Sequence, residues 1–153
     1  MAPMQLGYLL KGLELAPATV QRILDRVPDS AFDEKRDPER FTLREAIAHL
    51  TDWEPINIDR LRRGVEEPGC TVPGYDEGQR AIDLDYASLD PREQTRLYAE
   101  RRGESVAYLR TLTEEDWTKV YTHSERGLQT VYEQAVTILG HDMYHVEQFT
   151  EYL

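Results

Sequence analysis

The stretch Thr130-Val131-Tyr132-Glu133-Gln134-Ala135-Val136-Thr137-Ile138-Leu139-Gly140-His141-Asp142-Met143-Tyr144-His145-Val146-Glu147-Gln148-Phe149 decides how the chain is read. Thr130 followed three residues later by Glu133 is a capping box, in which each side chain satisfies the other residue's free backbone amide, so a helix opens there. On its projection Val131, Ala135, Ile138, Leu139, Val146 and Phe149 form a core arc. His141 and His145 sit on one flank of that arc, beside Gln134, Ile138 and Tyr152. Two histidines four apart on a helix differ by about 40° in direction and about 6 Å in height, so both imidazoles can turn to one point. A divalent metal such as zinc takes imidazole nitrogens at about 2.0–2.1 Å, and a catalytic site needs a third protein ligand plus an open position. Asp142 projects into the apolar arc itself, and a carboxylate there needs a buried partner, for which Arg101 is the candidate.

Working backwards, Asp90-Pro91-Arg92-Glu93 opens another helix with an acidic N-cap, proline at the first position and a glutamate to close the box. Leu97, Tyr98, Tyr108, Leu109 and Leu112 share its inner face, with Arg101 and Ser105. Thr42-Leu43-Arg44-Glu45 is a further capping box. The helix it starts carries Leu43, Ala46, Ile47, Leu50, Trp53 and Leu61 on its apolar face and His49 at that face's edge. It is kinked by Pro55 and stops near Arg63-Gly64, a basic residue and a glycine suiting a C-terminus. The first helix runs along the stripe from Leu6 to Val27, bends at Pro17 and ends at Pro28-Asp29-Ser30.

Two connections complete the chain. Val65 to Asp90 is rich in proline and glycine, with room for a short helix around Glu77 to Leu84. Thr113 to Leu128 has room for a short hairpin. A second helix of about 22 residues is about 33 Å long, and the first connection can span more than twice that, so the third helix can run parallel to the second. The expected fold is therefore all-α: one domain over residues 1–153, a four-helix bundle with a long crossover between helices 2 and 3 (up-down-down-up).

That topology supplies the third ligand. If helices two and four are antiparallel neighbours, His49 near the start of one and His145 near the end of the other lie at the same level, about 10–12 Å from one end. Three imidazoles then meet. A two-metal site of ferritin-like type needs Glu-x-x-His pairs, and none occurs, so the site is read as mononuclear.

Charge and composition exclude several classes. A formal net charge of -11 opposes a nucleic-acid partner or an anionic membrane surface. No apolar run approaches a membrane span, Met1 to Gln5 lacks the basic start of a signal peptide, and the lone Cys70 fits a reducing cytoplasm.

The segments Phe41 through Glu54, Leu109 through Leu112 with Asp116-Trp117, and Ile138 through Gln148 resemble the DinB-like (damage-inducible) family of metal-dependent proteins. The strongest part is a helix-two histidine before Asp52-Trp53-Glu54, paired with a terminal His-Asp-x-x-His. The resemblance covers nearly the whole chain. It implies a four-helix bundle with a long crossover, one divalent metal on His49, His141 and His145, and a homodimer. Zinc and nickel lead the candidates for that ion, with manganese and iron behind them. In and near this family are transferases and isomerases that use small bacterial thiols, which makes a thiol cosubstrate one expectation and a hydrolase acting on a small molecule another. The rival reading is a non-catalytic metal-binding bundle serving as a dimeric interaction module.

The remaining candidates each carry an alternative. Glu54 reads as a site base or as a charge displaced by the Pro55 kink. Trp53, Tyr98, Tyr108 and Tyr152 read as core aromatics, with a substrate platform as the other role. His123 reads as a polar loop residue, or else as a substrate contact or fourth ligand. Arg60 and Arg101 are the basic residues placed to hold an anionic cosubstrate. The zinc-protease pattern His-Glu-x-x-His is set aside because aspartate is shorter and Asp142 faces the core.

Overall fold

The computed structural model describes residues 3–153; Met1 and Ala2, where the segment read above for a targeting signal begins, lie outside the described residues. Its helices are α1 (Pro3–Leu24), α2 (Leu43–Glu66), α3 (Glu77–Asp83), α4 (Pro91–Leu109), α5 (Glu114–Thr118) and α6 (Val131–Thr150). Three short strands, β1 (Thr71–Val72), β2 (Val120–His123) and β3 (Gly127–Thr130), and 3-10 turns at Asp29–Ala31 and Tyr86–Ser88 fill the connections.

The expected caps are present at α2 and α6. Thr42 and Thr130 each accept from the amide three residues on, and Glu45 and Glu133 reach back. At α4 only half of the box forms: Asp90 accepts from the Glu93 amide, while the Glu93 carboxylate is taken by Arg96. Helix α2 does not stop at Gly64. It continues to Glu66, and Gly64 serves close packing instead, since a Cβ there would lie 2.8 Å from the Tyr121 ring and 3.1 Å from Val131.

Helices α1, α2, α4 and α6 form the bundle, and cross-contacts fix their directions. Thr51 Oγ1 on α2 donates to Gln94 O at 2.8 Å and Arg102 on α4 reaches Glu54, so α2 and α4 run parallel. His49 lies beside His141 while Gly64 lies against Val131, so α2 and α6 are antiparallel. Arg92 donates to Leu24 O and Arg102 to Leu13 O, which sets α1 antiparallel to α4. The up-down-down-up bundle with its crossover between the second and third long helices is the observed topology. Among the described residues, no helix is long and apolar enough to cross a membrane.

Two apolar clusters hold the bundle, with polar side chains buried between them. At one end Val20, Leu24, Phe32, Leu43, Ile47, Leu50 and Phe149 pack together. At the other, Leu9, Leu13, Leu61, Leu109, Trp117, Val131 and Ala135 do so. Each fully buried side chain of this kind stabilises the fold by about 1.5–3 kcal/mol before chain entropy is counted.

The connections are built rather than loose. β2 and β3 form a hairpin whose turn, Ser124 to Arg126, closes on Gly127 at φ +81°, a left-handed conformation that glycine adopts without steric cost. β1 adds in parallel to β2, tying the crossover to the hairpin. Asp52 on α2 accepts from Arg80 of α3 through two nitrogens and from Tyr86 Oη, which holds the crossover down on α2. This brings Glu77 and Gly78 beside α6, where they line one cavity with His141 and His145.

Candidate metal centre

His49, His141 and His145 each offer one ligand nitrogen, and these atoms lie within 4.8 Å of one another. The His49 and His141 Nε2 atoms are 2.9 Å apart. His49 comes from the start of α2 and the pair from the later half of α6, the juxtaposition that antiparallel helices require. His49 and His145 are buried, at 0% and 4% exposure, and His141 is partly open. The His49 ring packs against Phe41 and Trp53, with centroids 5.3 and 4.7 Å away. Trp53 is thus a core aromatic that also walls the triad.

Two features select the ligand form of these imidazoles. Gln148 donates through Nε2 to Phe41 O at 2.7 Å, which leaves its Oε1 to accept from His145 Nδ1 at 3.0 Å. His145 therefore carries its proton on Nδ1 and presents the Nε2 lone pair, the form that binds a metal. Burial also disfavours the charged ring. It pushes His49 down to about 2, helped by His141 and His145, and His145 down to about 3, helped by His141. His141 is lowered by burial too, with Asp142 pulling the other way and Arg102 opposing Asp142. Three neutral nitrogen donors at this spacing fit one divalent ion with bonds of about 2.0–2.1 Å after small side-chain adjustments.

Asp142 faces the core, as its place on the helix predicts, but its cation is Arg102 and not Arg101. Arg102 uses all of its N–H groups: Nη1 and Nη2 on Asp142 at 2.6 and 2.9 Å, Nε and Nη2 on Glu54 Oε1 at 3.0 and 2.6 Å, and Nη1 also on Leu13 O at 3.0 Å. Tyr98 Oη donates to Asp142 Oδ1 at 3.0 Å, and Ser105 Oγ to Glu54 Oε2 at 3.2 Å. Arg102, Glu54 and Asp142 are each about 2% exposed. Glu54 is accordingly neither a charge displaced outward by Pro55 nor free to act as a base, because Arg102 and Ser105 hold it. Burial opposes the charged form of Arg102, yet the surrounding anionic groups hold it protonated well above the ordinary arginine value. Asp142 follows His141 in sequence, so the cluster ties the start of the His141–His145 turn to α4.

Arg101 instead donates to Thr51 O at 2.8 Å and borders a separate cavity with Glu54 and Pro55. His123 is not a loop residue. It ends β2, is 3% exposed, and its Nδ1 accepts from the amides of Glu125 and Arg126, which closes the hairpin turn. It is not among the three clustered histidines.

A cavity of about 390 Å³ opens over the triad, lined by Arg40, Phe41, Glu77, Gly78, His141, Tyr144, His145 and Gln148 among others. Glu77 and Gln148 escaped the sequence reading. The signal for Gln148 was its place three residues after His145, on the same side of the helix. Glu77 depends on where the crossover folds back, which only Asp52 and its two partners determine. Burial raises the Glu77 carboxyl, with Arg60 opposing that shift.

Comparisons with known proteins agree with this architecture. YfiT of Bacillus subtilis, described as a probable metal-dependent hydrolase with an unusual four-helix bundle topology, is 26% identical over 140 residues, which cover 91% of this chain and 79% of YfiT. Its solved structure superposes with a TM-score of 0.92 at 24% identity, covering 99% of this chain and 87% of that one. The mycothiol-dependent maleylpyruvate isomerase shares the fold at TM-score 0.75 and 15% identity, with 95% of this chain matched to 62% of the isomerase. A family model, that of the DinB superfamily, matches residues 13–149, and the chain belongs to that family.

Proposed function

We propose that this chain is a metal-dependent enzyme acting on a small molecule, with one divalent ion held by His49, His141 and His145. The observation that carries the reading is the convergence of three neutral imidazoles, two of them buried and His141 partly open, at a cavity of about 390 Å³. A bound zinc, nickel or similar ion would supply Lewis acidity and lower the pKa of a water or thiol, making a nucleophile near neutral pH. Phe41 and Trp53 exclude water from behind His49, and Gln148 fixes the His145 tautomer. Glu77, facing both His141 and the cavity, is positioned to accept the proton that the nucleophile releases. Its raised carboxyl suits that exchange. Arg40, stacked 4.2 Å over the Tyr144 ring and bonded to Tyr144 O, stiffens the rim.

Water as nucleophile gives a hydrolase, the class named for YfiT. A small thiol as nucleophile gives an S-transferase or isomerase, a reading favoured by the fold shared with the mycothiol-dependent isomerase. A homodimer in the cytoplasm completes the proposal. Exposed Tyr8 and Leu15 on α1 and Val136 and Met143 on α6, each pair seven residues apart on helices that pack together, support a mate on that side. The test is turnover of ester or amide panels, and of electrophiles with added thiols, by chelator-treated protein before and after zinc or nickel. Activity that returns with metal and vanishes in His141→Ala supports the proposal. A fully loaded protein inert in both panels favours the interaction-module reading.

A further inference from the structure

Beside the main cavity lies a smaller one of about 70 Å³ that shares His141 and Glu77 with it and whose lining also includes Trp53, Asn57, Arg60, Arg126 and Gln134. A water needs about 10–15 Å³ of such free space, so this cavity has room for a few waters or one small polar group. Arg60, on α2, is 4% exposed, and its Nε is buried with no hydrogen-bond partner. Its remaining contacts are Nη2 on Pro73 O at 2.8 Å and the Tyr75 ring 5.8 Å away. Arg126, at the hairpin tip, donates to Gln134 Oε1 at 3.0 Å. Among the described residues, neither guanidinium has a carboxylate within ion-pair distance, although Glu77 and Glu125 lie in the same region.

Two neighbouring guanidiniums, one of them desolvated and lacking a counter-ion, are costly in the free protein, and a bound anion would relieve that cost. Burial, and next the charge of Arg126, pull Arg60 below the ordinary arginine value. Guanidinium nitrogens pair with planar or tetrahedral oxyanions through two parallel hydrogen bonds.

We infer that the cavity between Arg60, Arg126 and His141 is an oxyanion subsite, receiving the carboxylate or phosphate group of the small molecule that reacts over His141 and His145. The inference rests on the proposed function for what reacts, and on Arg60 and Arg126 for what binds. It explains how a chain of net charge -11 accepts an anionic substrate: two cations without a carboxylate partner stand at one end of the groove, while surface arginines such as Arg92 and Arg96 are paired with carboxylates. Glu77, shared by both cavities, then stands between the anchored group and the reacting end.

The test titrates inorganic phosphate and, separately, acetate into the protein at constant ionic strength set with chloride, reading the thermal midpoint and direct binding by calorimetry. It is run on protein as purified and on chelator-treated protein. Saturable stabilisation by one of the two anions is expected in both forms, and the tighter anion identifies the group. Arg60→Gln and Arg126→Gln should each weaken binding at least tenfold, while Arg96→Gln, on the exposed face of α4, should leave it unchanged. Arg126 is exposed, so its variant answers the question even if Arg60→Gln folds poorly. No saturable effect, equal binding in all variants, or binding only where metal is present would overturn the subsite. Because the chelated arm contains no metal, the subsite can fail while the metal site stands, and the reverse.

Discussion

Replacing Arg102 with methionine tests the feature that places His141 and His145, the ion-pair cluster between the two apolar ends of the bundle. The substitution keeps much of the side-chain volume but removes the cation between Glu54 and Asp142, both about 2% exposed. It also removes the hydrogen bonds to both carboxylates and to Leu13 O. Breaking a buried pair by deleting one partner costs about 3–5 kcal/mol, because the charge left behind is uncompensated. Here two like charges are left, so the upper part of that range applies. With a urea m-value of about 2 kcal/mol/M, the midpoint should fall by about 2–2.5 M. A triple variant, Arg102→Met with Glu54→Met and Asp142→Leu, removes all the charges and should recover most of the loss, since apolar replacement of a whole buried cluster is commonly neutral or stabilising. Urea melts followed by far-ultraviolet circular dichroism measure both. A single variant within 1 kcal/mol of the parent, or a triple variant as unstable as the single, would refute the claim that an uncompensated charge sets the cost.

Metal-free protein should lose stability as pH falls from about 6.5 towards 3. The folded state keeps His49 and His145 neutral down to about 2 and 3, and His141 is lowered as well, so over that window the unfolded chain binds more protons. Stability is fully present above the unfolded value of about 6.5, and each fully neutral histidine contributes a slope of about 1.4 kcal/mol per pH unit below it. A denaturation midpoint flat from pH 7 to 5 would contradict the neutral triad. Gln148→Leu should weaken metal binding by about 10–100-fold without removing the site, because it frees the His145 tautomer; competition with a chromogenic chelator reads this directly, and an unchanged affinity would show that Gln148 does not orient His145. Glu77→Gln should lower kcat while leaving metal content and thermal midpoint unchanged, and equal turnover in the two proteins would remove Glu77 as proton acceptor.

Much of the fold was legible because the capping boxes at Thr42 and Thr130 and the apolar stripes of α1, α2 and α6 agree with one another. The histidine triad was legible because two residues four apart on one helix, plus an antiparallel neighbour, leave few places for a third. The interior of α4 was not legible in the same way. Its buried positions include Thr95, Tyr98, Arg102 and Ser105, so polar residues occupy the face that a hydrophobic stripe would mark. A choice between Arg101 and Arg102 is a turn of about 100° around the helix, and without a stripe nothing in the sequence fixes the phase. The crossover escaped for a different reason. Its path depends on Asp52 gripping Arg80 and Tyr86 and on β1 pairing with a hairpin some fifty residues away, contacts that local propensity does not encode.

The central claim is that His49, His141 and His145 together hold one divalent ion. Elemental analysis of protein purified without a histidine tag, set beside His49→Ala prepared identically, tests it most directly. About one ion per chain in the parent, lost in the variant while helical content is retained, is the predicted result. No metal in the parent after incubation with zinc, nickel or manganese, or equal metal in both proteins, would contradict it.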